Sequence, residues 1–110
     1  MNRRVRTVAA GLMLLSGVTH VAQLFVYPSQ YHVIGAATFG GIYFLIGLFL
    51  LGRRRAPLWF GAILPAIGGI LGIIRFINLH RNPFSVFHVL IDLIVVPACI
   101  YLLTRKTQPE

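Results

Sequence analysis

The sequence predicts an all-α integral membrane protein: a four-helix up-down bundle with both termini in the cytoplasm. Three observations carry that expectation. Hydrophobic residues fill 57% of the 110 positions, mean hydropathy is +0.82, and only 11% of residues are charged. That is too little charge to cover a soluble domain of this size. Four apolar stretches, 7–27, 33–51, 57–77 and 84–103, take up almost the whole chain. Each is close to the roughly 20 residues needed to cross a hydrocarbon core about 30 Å thick. Finally, every basic residue except Arg75 lies outside the stretches, flanking their ends.

Each stretch must be a helix, because backbone groups in lipid have to be satisfied within the segment. None alternates with the period of two that a membrane barrel strand needs. The first stretch follows a basic segment, Met1 to Arg6, and so has some likeness to a secretion signal. It is too long for one, and no small-x-small cleavage site precedes the Tyr27, Pro28, Ser29 turn, so it reads as a retained span. The second begins after a short connection, Pro28 to His32, and ends before Gly52 to Ala56. The third starts with Pro57. The fourth starts after Asn82 and Pro83, where Asn can cap a helix and Pro in the first turn forfeits no bond. Connections this short make sequential helices adjacent and antiparallel, with the fourth also touching the first. The chain is therefore one domain, residues 1–110, with a short polar tail from Thr104.

Local chemistry agrees with these boundaries. Tyr27 and Tyr31 mark one interface, Trp59 and Tyr101 the other, as in an aromatic belt. Ala36 and Gly40, Ala37 and Gly41, Ala62 and Ala66, and Gly68 and Gly72 have small-xxx-small spacing, which lets helix backbones approach closely in lipid. Pro65 and Pro97 each interrupt a helix ladder, as a packing kink, a hinge or a freed carbonyl.

The formal net charge of +8 is explained by topology. Arg3, Arg4, Arg6, Arg53, Arg54, Arg55, Arg105 and Lys106 share one side if the chain crosses four times; only Arg75 and Arg81 lie toward the other. The positive-inside rule then puts both termini in the cytoplasm of a multi-pass protein of the cell membrane. Nucleic acid is not an expected partner. The bilayer is, and the basic flanks suit anionic head groups. Cys99 is the single cysteine, so no internal disulfide forms, and it reads as a small packing residue.

The candidate functional residues are the polar ones inside the spans. Ser16, His20, Gln23 and Tyr27 recur at four, three and four residues, one stripe of the first helix. His88 and Asp92 stack four apart on the fourth, and Cys99 continues their stripe. Arg75 lies within about one turn of the outer end of the third helix. His20, Gln23, Arg75, His88 and Asp92 belong to the outer half of the bundle, and the inner half is expected to hold nothing comparable. Asp92 is the only carboxylate within a span, and a charge at that depth costs about 2.5–3.5 kcal/mol on insertion scales. Arg75 is its expected partner, with His88 second; the alternative for Arg75 is to reach up to water. His20 is expected to pair with Gln23. His32 and His80 belong to the outer connections, as interfacial aromatics or covers over a site.

His20, His88 and Asp92 are the residue types that ligate a transition metal through nitrogen and oxygen, with His32 or His80 as further ligands. Two histidines on neighbouring helices also suit a b-type haem. The same residues, with Gln23 and Arg75, could bind a small ligand or relay protons. In length and in its four short-looped spans the chain is similar in plan to the small multidrug resistance exporters. Those rely on a membrane carboxylate in the first helix; here the region reads Leu12, Met13, Leu14, Leu15, Ser16, Gly17, with no acid. Their activity is not carried over. No nucleophile, carboxylate pair or phosphate loop is present, so an autonomous enzyme is not expected. The reading is a small membrane protein with a polar site, working as a homo-oligomer or within a larger membrane complex. The rival is a non-catalytic accessory subunit whose polar residues only set helix register.

Overall fold

The computed structural model describes residues 2–27, 30–79 and 81–104. These form four helices: α1 (Asn2–Val26), α2 (Tyr31–Leu50), α3 (Ala56–Asn78) and α4 (Pro83–Leu103). Helix accounts for 89% of them, and none of them lies in a strand. All four helices are long and apolar enough to cross a membrane, the composition of a multi-pass membrane protein. His80, Arg105, Lys106 and Glu110 lie outside the described residues, as do Pro28 and Ser29 of the first connection and most of the polar tail.

The helices form a ring. α1 packs most extensively on α2, and α3 on α4; α1 also meets α4, α2 meets α3 most sparsely, and the backbones of the diagonal pairs do not come close. The buried face of α1 is a regular stripe, Arg6, Ala9, Ala10, Met13, Ser16, His20 and Gln23. That of α4 is Ser85, His88, Asp92, Val95, Cys99 and Leu102. Steps of three and four on both helices are the period of a helix seam, so two of the predicted polar stripes do face the interior. Large apolar side chains stay exposed all round the ring, among them Phe25, Phe49, Trp59, Ile77 and Leu93. For a protein whose solvent is lipid, that surface carries no penalty.

The tight α1–α2 seam is made by glycine. A Cβ on Gly17 would lie 2.7 Å from the Gly40 carbonyl oxygen, and a Cβ on Gly40 would lie 2.5 Å from the His20 Cβ. The two backbones are in contact there, which maximises dispersion where hydrophobic burial offers nothing. Gly41, in the expected Ala37/Gly41 pair, meets nothing within 4 Å and faces away from the neighbouring helices. Asn82 caps α4 as expected, its Oδ1 accepting from the Ser85 N–H at 2.9 Å. Pro65 and Pro97 both sit inside continuous helices.

One expectation is overturned at the basic end of the bundle. Helix α1 starts at Asn2 rather than Thr7, so Arg3 and Arg6 are helical. Arg6 is fully buried; its Nε donates to the Leu50 carbonyl at 2.7 Å and its Nη2 to that of Arg54. Arg3 donates to the carbonyls of Leu51 and Gly52, and Arg55 to that of Leu103 at 2.7 Å. The Leu50, Leu51 and Leu103 carbonyls belong to the ends of α2 and α4, where the ladder leaves acceptors without an intrahelical donor, and those of Gly52 and Arg54 to the connection into α3. Arginines there also meet the negative ends of the helix dipoles. The half of the bundle expected to lack buried polar groups therefore holds a fully buried guanidinium.

Gly40 and Gly41 give a paired test. Gly40→Ala should destabilise by about 1–3 kcal/mol, because overpacking outweighs the gain in helix propensity. Gly41→Ala should be neutral or stabilising by about 0.5–1 kcal/mol. Thermal unfolding of the detergent-solubilised protein, followed by circular dichroism, reads both.

Candidate functional site

At the end of the bundle away from the arginine caps, the two polar stripes meet. His20 of α1 and His88 of α4 stack face to face, ring centroids 3.5 Å apart and planes 11° from parallel. Tyr43 of α2 sets its ring edge-on to His20, centroids 5.2 Å apart. Each imidazole is anchored from behind. His20 Nδ1 lies 2.7 Å from the Ser16 carbonyl oxygen, one turn back. A carbonyl only accepts, so Nδ1 carries a proton and Nε2 the lone pair. His88 Nε2 lies 2.6 Å from Thr19 Oγ1, whose single proton has the Leu15 and Ser16 carbonyls in reach. With that proton on a carbonyl, the hydroxyl oxygen accepts Nε2–H from His88. Thr19 lies off the polar stripe, and nothing in the sequence marks it. The partner of His20 is Ser16, not Gln23.

Arg75 neither reaches up to water nor pairs with Asp92. Only 7% of it is exposed. Its Nη1 donates to Gln23 Oε1 at 2.8 Å and its Nε to His32 Nδ1 at 3.0 Å. His32 therefore accepts at Nδ1 and donates from Nε2 to Gln30 Oε1 at 2.7 Å. The chain Gln23–Arg75–His32–Gln30 ties α1 to α3 and α3 to the start of α2. His32 lies in the first turn of α2 rather than in a loop, because the helix begins at Tyr31. Arg75 Nη2 and Gln23 Nε2 are buried and make no hydrogen bond among the described residues.

Asp92 departs furthest from expectation. It is buried on the inner face of α4, with Oδ2 beside Gly69 of α3: a Cβ on Gly69 would lie 3.1 Å from it. Its Oδ1 is buried without a hydrogen-bond partner among the described residues, and no ion pair to Arg75 or His88 forms among them. Spacing along the chain brings these groups to one layer, but which of them pair is decided by the tertiary structure. Nearby, Tyr43 finds the partner it needs in the Leu64 carbonyl, at 3.2 Å. Gly68 makes room for that hydroxyl; any side chain there would collide with it.

These residues surround one cavity of about 310 Å³. Its polar walls come from all four helices: His20, His32, Tyr43, Arg75, His88 and Asp92. Gln23 stands behind, reaching the cavity only through Arg75. Ala36 and Phe39 of α2 and Leu71 and Ile74 of α3 supply apolar wall. The cavity runs along the sparsely packed α2–α3 seam, from Tyr31 to Tyr43, about 18 Å at 1.5 Å rise per residue.

That geometry bears on the chemistries the residues suggested. No three His, Cys, Asp or Glu side chains among the described residues are grouped to hold a metal ion. His20, His88 and Asp92 share a cavity, but the two imidazoles lie side by side in a stack rather than converging on a point. A bis-histidine haem needs its ligands on opposite faces of the macrocycle, and rings already in van der Waals contact leave no room for one between them. The stack contains no histidine-to-histidine hydrogen bond, so it is not in itself a proton wire.

Gln23→Met should remove a buried acceptor from a guanidinium and destabilise the protein by about 1.5–3 kcal/mol, whereas Gln23→Glu should not. Thermal unfolding of the two variants distinguishes them. Compared with protein-family models, with curated proteins and with solved structures, the chain matches none.

Proposed function

We propose that this protein binds a small amphipathic molecule taken from the bilayer, in the cavity between α2, α3 and α4. The observation that carries the reading is the makeup of that cavity. Its volume of about 310 Å³ is at the lower end of the range for small-molecule sites, and apolar side chains alternate with convergent polar groups. Two of those groups, Arg75 and Asp92, are buried ionisable side chains with polar atoms that have no partner among the described residues. Buried polar atoms are nearly always hydrogen-bonded, so exceptions grouped on one cavity favour binding over a purely structural knot. Loose packing of α2 on α3 beside lipid-facing Leu71 and Ile74 favours entry from the membrane rather than from water.

On this reading the helices run up, down, up and down in the cytoplasmic membrane, with both termini inside. The eight-to-two distribution of basic residues supports that orientation. So does the gathering of Arg3, Arg6 and Arg55 on the ends of α2 and α4, at one end of the bundle. The cavity then lies in the outer half, and the apolar exterior faces lipid, further copies of the chain or a larger membrane complex.

Gly72 provides the test. It lines the cavity, and a Cβ there meets only Val89, at an ordinary 3.7 Å. Gly72→Leu should therefore fold normally while filling the site, and should cut binding of a lipophilic probe at least tenfold. Photo-crosslinking with an alkyl diazirine, mapped by mass spectrometry, should label Phe39 or Leu71 in the parent protein and not in the variant. Equal labelling of the two would sink the reading.

A further inference from the structure

Arg75 narrows the class of ligand. Its guanidinium is buried, and both of its hydrogen-bonding partners are uncharged acceptors, the Gln23 amide oxygen and the lone-pair nitrogen of His32. It forms no ion pair among the described residues. Asp92, the only carboxylate among the described residues, lines the same cavity but makes no pair with it. Buried charges in proteins are paired, because an isolated ion in an apolar medium is strongly disfavoured. A guanidinium held in place by neutral groups, with Nη2 unpartnered, is a preorganised receptor for an oxyanion.

The surroundings define the rest of the molecule. Arg75 and His32 stand near the ends of their helices, at the end of the cavity where Tyr31 and Leu79 form the rim. From there the apolar wall of Ala36, Phe39, Leu71 and Ile74 extends along the α2–α3 seam toward lipid. An acyl chain can follow that wall while its head stays on Arg75. We infer that the cavity takes a lipophilic anion, a carboxylate or phosphate head on an acyl chain, with Arg75 as the counter-charge. This rests on the small-molecule reading above and names the chemical class of its ligand. The head could come from a free fatty acid or from a phosphate-bearing lipid. Both present the oxygens that a guanidinium grips.

The experiment is equilibrium binding of radiolabelled oleate, oleoyl lysophosphatidate and oleyl alcohol to the full chain in dodecyl maltoside. The three share a chain and differ in the head. Oleate or lysophosphatidate should bind at least about tenfold tighter than the alcohol, the scale of one charge-assisted hydrogen bond. Arg75→Gln should abolish that preference and Arg75→Lys should keep most of it, while Gly72→Leu should remove binding of all three. Whichever anion binds tighter identifies the source of the head. Equal binding of anions and alcohol by the parent protein overturns the anion inference and leaves the cavity reading intact. Failure of all three to bind, or binding unchanged by Gly72→Leu, overturns both. The anion-to-alcohol ratio of the parent protein decides the matter even if Arg75→Gln does not fold.

Discussion

Backbone contact between α1 and α2 at Gly17 and Gly40 is the constraint on which the rest of the molecule depends. In lipid, apolar side chains gain nothing by leaving their solvent, so helices associate where their surfaces fit most closely. Two glycines facing each other allow the closest fit, and they set the depth and rotation of α1. His20 lies next to that contact, since its Cβ is the atom a side chain on Gly40 would strike. The same contact therefore aims the α1 stripe inward. It also leaves α2 turned so that Tyr43, rather than its backbone, bridges to α3. A tight seam on one side and a side-chain bridge on the other open a cavity on the looser side.

The arginines near the basic end show how one residue type meets two physical demands. Charge at a span end is the pattern that orients membrane proteins in general. Long side chains also reach across to a neighbouring helix. Arg3 and Arg6 cross from α1 to the final carbonyls of α2, and Arg55 crosses to the last residue of α4. Helix ends inside or near a bilayer need donors, and a guanidinium offers several in a fixed fork. The arginines that flank the spans thus also cap helix ends.

At the far end the logic is reversed. Here polar side chains are not consumed by helix ends. Some satisfy one another, as in Gln23, Arg75, His32 and Gln30, and some face a shared cavity without a partner among the described residues, as Asp92 does. The stacking of His20 on His88 closes one wall between α1 and α4. A purely structural polar knot would satisfy its own groups; this one binds its histidines from behind and leaves an acid and part of a guanidinium facing inward.

Much of this was legible in residue spacing. Apolar length set the number of helices, and steps of three and four put Ser16, His20 and Gln23 on one face and His88, Asp92 and Cys99 on another. Arg6 continues the first of those stripes at the same spacing, so its burial could have been read there; its place among the flanking charges hid it. What spacing cannot encode is the distance between side chains on different helices. Rotation and tilt of each helix decide that, and they follow from close contacts such as Gly17 on Gly40 rather than from any helix's own period. Only the tertiary structure could therefore give Arg75 to Gln23 and His32 instead of Asp92. It also put Thr19 behind His88, and left α2 and α3 far enough apart for a cavity to lie along their seam.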